Sequence, residues 1–410
     1  MEIRSTGNPI HWVRTQIGDK YAELLSEIQR AAITLDLEVF VVGGTVRDWV
    51  LGKELKDIDL SVIGDALVLV DEISKTLDIT IVKYKKFHTA TIKTAEIEID
   101  VVSARSEIYN YGGALPEITL GNLNDDLRRR DFSINAMAIS MNTPYEFMDP
   151  LKGMTDLDKG IIRILHDQSF IDDPTRLFRM FRYASRFDFA IESETCRTAE
   201  TAIAENCLTT ISKERLTHEM VLILNEPNTD SAVKYLIEFD VLGIPGVYNP
   251  LILFSTMKQE LKWVALMSMY EKKYYEMFFQ KFSLDRQNAN AIKEFINLCS
   301  ILDDNDTDLL NEMDIGRMYL LLKGIPRITL DAYVICNINT DLVKLLQQYM
   351  MYTDRVKINL NGMDLINLGV DKNQISEVID VLIIKTLKGE ISSKSEEELI
   401  VVQYVNGSND

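Results

Sequence analysis

The hydrophobic pattern of this chain changes near residue 165, and this change restricts the possible folds more than any other feature. Upstream, short apolar or alternating runs typical of strands recur between helical segments; they span 38–44, 57–64, 79–84, 88–93 and 96–102. Downstream, apolar residues recur at helical spacing, first in the segments 174–187, 212–225, 231–239, 257–271 and 285–302. The pattern predicts an α/β domain followed by an all-α region, which together make an α+β protein.

The composition restricts the way in which the chain could bind nucleic acid. Its 410 residues are 46% hydrophobic, which is enough to form sizeable cores. Acidic residues outnumber basic ones by 63 to 44, which gives a formal net charge of −19. We do not expect a chain with this charge to coat nucleic acid non-specifically, so any nucleic acid must bind to a local basic face.

The cysteines and the apolar runs indicate a cellular compartment. Four cysteines are scattered without a C-x-x-C pair, which favours thiols in a reducing environment over a disulfide framework or a zinc site. The N-terminal segment lacks the apolar run of a secretory signal, and no stretch approaches the length of a membrane span. We therefore expect a soluble, cytoplasmic protein that does not enter a membrane.

A glycine pair and two aspartates form the strongest chemical signal. Gly43 and Gly44 end the first predicted strand and precede a short helix that carries Arg47. Backbone N–H groups next to glycine, together with an arginine, suit phosphate oxygens. Asp57 and Asp59 lie two residues apart on the next predicted strand, so both carboxylates project from one face. Adjacent carboxylates repel each other unless a cation lies between them, and Mg²⁺ prefers oxygen ligands that it can share with phosphates.

A third carboxylate lies on another alternating strand. Asp100 could complete the catalytic set, and we keep it as a candidate catalytic residue. Glu96 and Glu98 share its predicted face, however, so a solvated strand face explains the pattern about as well. The residues alone leave both interpretations open.

A run of three arginines, Arg128–Arg130, precedes Asp131. Three consecutive arginines cannot share one face of a helix or strand, so some of them are expected to be solvated. Asp131 and Asn135 are spaced i, i+4, which suits a hydrogen-bonded pair on a helix.

A third segment carries polar side chains at every third position from Asp173 to Arg182, including Arg176 and Arg179. At 100° per residue this row drifts around a helix, so its two ends lie about half a turn apart. Neighbours in the row touch, but the two ends must contact different groups. The drift is therefore typical of a helix that contacts an elongated ligand along its side.

Taken in order, these motifs resemble those of the class II tRNA nucleotidyltransferases, which belong with bacterial poly(A) polymerases to the polymerase-β-like nucleotidyltransferase superfamily. The resemblance rests on Gly-Gly-x-Val-Arg-Asp with Asp-x-Asp, on Arg-Arg-Asp-Phe-Ser-Ile-Asn-Ala, and on Asp-Asp-Pro-x-Arg-x-x-Arg-x-x-Arg. It implies a nucleotidyltransferase head over residues 20–165 and a helical neck over 166–240 that recognises the nucleotide. It also implies an elongated helical body and tail over 241–410 that binds tRNA.

The resemblance also implies roles for individual residues. Asp57 and Asp59 would bind catalytic Mg²⁺, and Asp173 with Arg176 would read the incoming base. The other residues that the motifs match would hold the nucleotide and its phosphates: Gly44, Arg47, Arg130, Arg179 and Arg182.

Hydrogen bonding explains why such a site would select two of the four bases. Cytosine and adenine both present an amino donor beside a ring-nitrogen acceptor, which an aspartate and an arginine complement. Guanine and uracil present the reverse pattern and would leave buried groups unpaired, at a cost of about 1–3 kcal/mol per group. Asp173 and Arg176 are therefore expected to favour CTP and ATP.

The expected function is addition of C and A residues to the tRNA 3′ end, without a nucleic acid template and with release of pyrophosphate. Enzymes that add only CC or only A remain alternatives. A poly(A) polymerase is disfavoured because the chain lacks a long basic extension. A catalytically inactive RNA- or nucleotide-binding module is disfavoured because both Asp57 and Asp59 are present.

The resemblance further implies a flexible loop that is linked to the switch from C to A. The candidate here is the segment 105–116, in which Gly112 and Gly113 would act as a hinge. Its full length favours complete CCA addition over partial activity.

Overall fold

The computed structural model describes residues 8–95, 97–245, 252–303, 314–337 and 340–407. The chain divides into two compact units, Met1–Leu242 and Gly243–Asp410. Within the described ranges, no helix is both long enough and apolar enough to cross a membrane. Glu96, which bears on the interpretation of Asp100, lies outside these ranges.

The strands of the first unit include all of the predicted ones. They are β1 (Glu38–Val42), β2 (Asp57–Ile63), β3 (Thr80–Tyr84), β4 (Thr89–Lys93), β5 (Glu98–Ser103), β6 (Arg105–Ile108), β7 (Glu117–Leu120), β8 (Ala138–Ser140), β9 (Phe147–Met148), β10 (Ile161–Ile162) and β11 (Ala190–Ile191). In the described residues, seven of them form one mixed sheet in the order β3-β4-β5-β2-β1-β8-β9. Strands β2 and β5 run parallel, whereas β1 pairs antiparallel with both β2 and β8.

The helices of the first unit cover the sheet and continue beyond it. They are α1 (Pro9–Ile17), α2 (Asp19–Thr34), α3 (Gly44–Val50), α4 (Ala66–Ile73), α5 (Leu123–Arg128), α6 (Gly153–Lys159), α7 (Ser169–Asp172), α8 (Thr175–Phe187), α9 (Ser193–Ala204), α10 (Lys213–Leu224) and α11 (Thr229–Glu238). The apolar stripe of α2 packs against β1, and α4 packs against β4 and β5. The four residues of β1 from Val39 to Val42 are buried, because this strand has a neighbour on both sides and helices on its face.

The second unit, within its described residues, is built from helices joined by short loops. Its helices are Gln259–Ser268, Tyr275–Lys281, Arg286–Asp303, Ile315–Leu322, Arg327–Cys336, Thr340–Thr353, Gly362–Asn367, Ile375–Leu387 and Lys394–Gly407. Trp263 packs edge-on against Phe278 and Phe282 in one apolar cluster. Leu365, Leu382 and other fully buried side chains form another.

The α+β architecture predicted from the change in periodicity is confirmed, with three local differences. Strand pairing does not stop at residue 165, because β10 and β11 form a short parallel pair. The segment predicted as a flexible loop begins with β6, which pairs antiparallel with β7 to make a hairpin. Asp131 and Asn135 do form a hydrogen-bonded pair, but Asn135 lies in a 3₁₀ turn, Ser133–Asn135, and not on an α-helix. The finer division into head, neck and body stays a prediction.

Candidate active site

The turn between β1 and α3 brings backbone close to charged side chains. Gly43 has a φ of +69°, in the left-handed region that favours glycine. A Cβ at this position would overlap the guanidinium of Arg130 and lie 3.4 Å from Asp59 Oδ2. The positive φ therefore favours glycine, and the missing side chain leaves room for the Arg130 guanidinium beside Asp59.

The paired carboxylates of β2 lie directly beside this turn. Asp57 is exposed and Asp59 half-buried, and the backbone N–H of Asp59 donates to Thr45 Oγ1 at 2.9 Å. Although much of Asp57 is exposed, partial desolvation of its carboxylate, and then the negative charges of Asp48 and Asp100, raise its pKa above the ordinary value. Burial raises the pKa of Asp59 to about 6, against the opposing charge of Arg130. The two carboxylates are thus held together in a setting that disfavours their ionised forms, which a bound cation would relieve.

Asp100 lies next to this pair across the sheet. The parallel register of β2 and β5 places it opposite Asp59, and Thr91 Oγ1 donates to its carboxylate at 2.7 Å. Its side chain lines a neighbouring groove of about 270 Å³ together with Tyr84 and Arg105. The described part of the chain contains no cluster of three or more His, Cys, Asp or Glu side chains arranged to hold a metal. Besides burial, the charge of Asp100 nevertheless contributes to the raised pKa of Asp59, and the catalytic role of Asp100 stays a prediction.

The arginine run is held by one buried acid. The carboxylate of Asp126 accepts from Arg129 at 2.8 Å and from Arg130 at 3.0 Å, whereas Arg128 is exposed. Burial alone would raise the pKa of Asp126, but the two guanidinium groups outweigh burial and keep it below its ordinary value. Asp126 therefore holds Arg129 and Arg130 side by side, with Arg130 close to Asp59. Arg128 is solvated, as expected for part of the run.

A second buried acid links α3 to α8. Asp131 accepts from Asn135 at 2.9 Å and from Arg179 Nε at 2.7 Å. Asn135 in turn accepts from Arg47 Nη1 at 2.5 Å. This chain of hydrogen bonds fixes two predicted phosphate-binding arginines, Arg47 and Arg179, relative to each other.

The start of α8 carries the predicted base-reading pair. Arg176 is buried and donates to Ser169 Oγ at 2.7 Å and to the carbonyl of Arg129 at 2.8 Å. Asp173 accepts at Oδ1 from Thr175 Oγ1 at 2.7 Å and from Arg215 Nη2 at 2.9 Å. Both side chains are thus fixed by protein contacts before any nucleotide binds.

A cleft of about 520 Å³ brings most of the predicted residues together. Its walls include Gly44, Arg47, Asp57, Asp59, Arg130, Asp173, Arg176 and Arg179. Asp100 lies in the neighbouring groove. Arg182 is 9% exposed and lies against Glu226, to which its Nε donates at 2.9 Å, so the structure places it behind the cleft wall and not with the other arginines.

The cleft also contains residues to which the family motifs assign no role. Glu107 and Tyr109, at the end of β6, and Arg186, in the last turn of α8, all line it. Burial, together with the neighbouring Glu107, raises the pKa of Tyr109 above its ordinary value. The signal for Arg186 was available, because it extends the row of arginines on α8 by one further turn.

The hairpin tip is attached to the base-reading end of the cleft. The backbone N–H of Gly113 donates to the carbonyls of Ile171 and Asp172 at 3.2 and 3.1 Å, and its carbonyl accepts from Arg215 at 2.8 Å. Gly113 has a φ of +75°, and a Cβ there would overlap Thr210. The glycine expected to act as a hinge is in this structure a tightly packed point of attachment.

Comparison with known proteins gives a consistent result. Residues 39–163 match the family model of the poly A polymerase head domain. The chain is 31% identical to the A-adding tRNA nucleotidyltransferase of Halalkalibacterium halodurans over 99% of this chain and 97% of that protein. It is 27% identical to the A-adding tRNA nucleotidyltransferase of Geobacter sulfurreducens, of which it spans about half, 49%.

Solved structures extend the likeness to the whole chain. The Thermotoga maritima CCA-adding enzyme complexed with tRNA matches with a TM-score of 0.76 and 28% identity, over 95% of this chain and 97% of that one. A CCA-adding enzyme complexed with CTP matches with a TM-score of 0.77 and 27% identity, over 96% and 97%. The likeness thus covers both the unit with the mixed sheet and the helical unit. The chain is a nucleotidyltransferase and belongs to the class II tRNA nucleotidyltransferase family.

Proposed function

We propose that this protein adds C and A residues to the 3′ end of tRNA, using CTP and ATP without a nucleic acid template and releasing pyrophosphate. The observation that carries the proposal is the cleft in which the paired carboxylates of β2 face the arginine row of α8. One wall has the charge to hold a metal–phosphate group, and the other has the hydrogen-bonding groups to select a base. In the family, relatives are A-adding and CC-adding tRNA nucleotidyltransferases and CCA-adding enzymes.

The carboxylate pair suits a divalent cation, a requirement that is general in this family. Asp57 and Asp59 are hard oxygen donors on one strand face, and burial together with the charges of neighbouring carboxylates raises the pKa of each, a cost that a divalent cation between them would offset. We propose Mg²⁺ as the ion and these two side chains as its ligands. When bound, Mg²⁺ would make the attacking hydroxyl more nucleophilic and stabilise charge on the leaving phosphate. Thr45 fixes the backbone of Asp59, so the pair is positioned in advance.

The base-reading proposal assigns one function to each side chain. The donors Thr175 and Arg215 both reach Oδ1 of Asp173, and Oδ2 would accept the amino group of cytosine or adenine. Arg176 uses Nη1 and Nη2 in bonds to Ser169 and Arg129. Each of these nitrogens carries a second hydrogen, which can be donated to the ring nitrogen of the base. A rigid donor–acceptor pair of this kind can replace a template strand.

The phosphates would lie between α3 and α8. Gly44 offers its backbone close to the carboxylates, and Arg47, Arg130 and Arg179 present guanidinium groups to the same cleft. Arg47 and Arg179 are held through Asn135 and Asp131, which would position the triphosphate with little rearrangement. Arg182, bonded to Glu226, would support this wall from behind.

A product-length assay tests the proposal. The protein is incubated with Mg²⁺, CTP and ATP and with tRNA that lacks all three terminal nucleotides. We expect extension by C, C and A, and no extension with UTP or GTP alone. Absence of any extension, with both this tRNA and tRNA ending in CC, would overturn the proposal.

Addition of A alone is the second candidate. It is favoured because the H. halodurans relative, which this chain matches along 97% of its length, is an A-adding enzyme. The same assay separates the two. An A-adding enzyme would extend tRNA that already ends in CC by one A, and would leave tRNA lacking all three nucleotides unextended in the presence of CTP.

A further inference from the structure

One end of the cleft carries more positive charge than the family motifs account for. The guanidinium carbons of Arg47, Arg179 and Arg186 lie 5.3, 5.4 and 5.8 Å from the centre of the Tyr183 ring. Such contacts between cations and an aromatic ring are attractive, so a single ring gathers three arginines from two helices. Arg47 and Arg179 are the residues that the proposed function places on the phosphates, and Arg186 stands beside them.

Lysines add to this cluster from the segment after α3. Phe187 stacks on Tyr183 with ring centres 5.9 Å apart, and the Nζ of Lys53 lies 4.2 Å from the centre of Phe187. Burial and the charges of Arg47, Arg186 and Lys56 lower the pKa of Lys53, and Asp48 opposes them only in part. Lys53 thus lies in a positive field, although an acid pairs with each of the three arginines: Asp48 with Arg47, Asp131 with Arg179 and Glu226 with Arg186. An anion in the cleft would relieve the repulsion on Lys53.

A buried glutamate binds both of the last two arginines of α8, Arg182 and Arg186. Glu226 has a side chain that is 1% exposed; it accepts from Arg182 Nε at 2.9 Å and from Arg186 Nε at 2.8 Å. Arg182 also lies 3.6 Å from Glu219, so two acids hold it behind the wall. The side chain of Arg186 remains 34% exposed and lines the cleft. The Glu226 carboxylate thus binds the Nε edge of the Arg186 guanidinium, and the rest of the Arg186 side chain lines the cleft.

From this arrangement we infer that Arg186, oriented by Glu226, binds the terminal phosphates of the incoming nucleoside triphosphate and the pyrophosphate released from it. The inference rests on the proposed function, and it transfers to Arg186 the role that the motif pattern suggests for Arg182. Arg186 is then a substrate-binding residue, and Glu226 is a positioning residue that acts through it. Because Arg186 shares the Tyr183 ring with Arg47 and Arg179, its ligand is the phosphate end of the nucleotide and not its base.

Calorimetric titration of the full-length protein with pyrophosphate, ATP and AMP, each with Mg²⁺, tests the inference. Loss of one charge-assisted contact in Arg186→Ala should weaken pyrophosphate and ATP binding by about ten-fold and leave AMP binding unchanged. Arg186→Lys should recover part of the loss. Arg197→Ala serves as the matched control, since Arg197 is an exposed arginine on α9 that pairs with Glu194.

Glu226→Gln separates positioning from folding. It keeps the shape of the side chain but removes the charge that anchors Arg186, so the ratio of pyrophosphate to AMP affinity should fall as it does in Arg186→Ala. A loss that affects AMP equally would mean a structural role only. Unchanged pyrophosphate affinity in Arg186→Ala, with a raised KM for tRNA, would overturn the inference in favour of an RNA phosphate. Normal pyrophosphate binding by a wild-type protein that cannot extend tRNA would overturn the proposed function instead.

Discussion

Arg215 donates from Nη2 to Oδ1 of Asp173 at 2.9 Å. The same guanidinium donates from Nη1 to the carbonyl of Gly113 at 2.8 Å. One side chain therefore joins the residue assigned to base reading to the tip of the β6–β7 hairpin. If the hairpin moves when the enzyme changes from adding C to adding A, either the Arg215–Gly113 hydrogen bond must break or Arg215 must move with the hairpin.

Removal of this link should change base selection more than folding. In Arg215→Ala we expect incorporation of UTP and GTP to rise relative to CTP and ATP, because Asp173 loses a charged partner that fixes its orientation. The side chain of Arg215 is 32% exposed, so the free energy of unfolding should fall by no more than about 1 kcal/mol. The measurement is kcat/KM for the four triphosphates with tRNA, and Arg197→Ala is the control. Unchanged selectivity would show that Arg215 has no part in base reading.

Arg176→Ala should lose both selectivity and stability. Arg176 is 5% exposed and bridges Ser169 and the carbonyl of Arg129, so its removal leaves buried acceptors without a donor. We expect a loss of about 1–3 kcal/mol in the free energy of unfolding, measured in urea. At a temperature where the variant is folded, discrimination against UTP and GTP should decline. Full discrimination in the folded variant would place base reading elsewhere.

Arg179→Lys should weaken all four triphosphates to a similar degree. Phosphate contacts carry no information about the base, and lysine keeps the charge beside the buried Asp131 while losing the second hydrogen bond of the guanidinium. The expected result is a higher KM for CTP and for ATP, in the same proportion. A change confined to one of the two nucleotides would contradict a phosphate-binding role.

The raised pKa of Asp59 makes a prediction about stability in metal-free buffer. Its pKa is about 6 in the folded protein, against 3.8 for the ordinary group, so ionisation is less favourable in the fold. The stability that Asp59 contributes is therefore greatest below pH 4 and is lost as the pH rises to 6, by about 2–3 kcal/mol. The neutral Asp59→Asn variant should gain stability relative to the wild type over this interval. A difference in unfolding free energy that stays constant from pH 4 to pH 7 would show that the pKa is not raised.

Strand β2, which carries Asp57 and Asp59, could be predicted because an alternating apolar pattern lies within the strand itself. The alternation in β2 and β5 is visible in the sequence, and the same alternation places Asp57 and Asp59 on one face. That Asp100 lies opposite Asp59 depends on the parallel register of two strands some forty residues apart, which no local pattern encodes.

The outer wall of the site could not be predicted in the same way. The helical period predicts that the two ends of the row point to different places, but it does not show which arginine faces the cleft, and Asp173 itself lies before α8 in an extended conformation. The position of Arg182 depends on Glu219 and Glu226, which hold it behind the wall and lie 37 and 44 residues beyond it in the sequence. Gly113 is bonded to Arg215, which lies 102 residues further along the chain. A local pattern does not show such a long-range contact, so the sequence suggests a hinge where the structure has a packed and hydrogen-bonded glycine.

Metal-dependent incorporation by carboxylate variants tests the central claim most directly. Wild-type protein, Asp57→Asn and Asp59→Asn are each incubated with Mg²⁺, labelled ATP and tRNA ending in CC, and labelled product is quantified, with circular dichroism confirming that each variant is folded. The account predicts that the wild type adds A and that both variants lose activity by at least about a thousand-fold, since paired carboxylates hold the ion that stabilises the transferring phosphate. Turnover close to that of the wild type in either folded variant would contradict it.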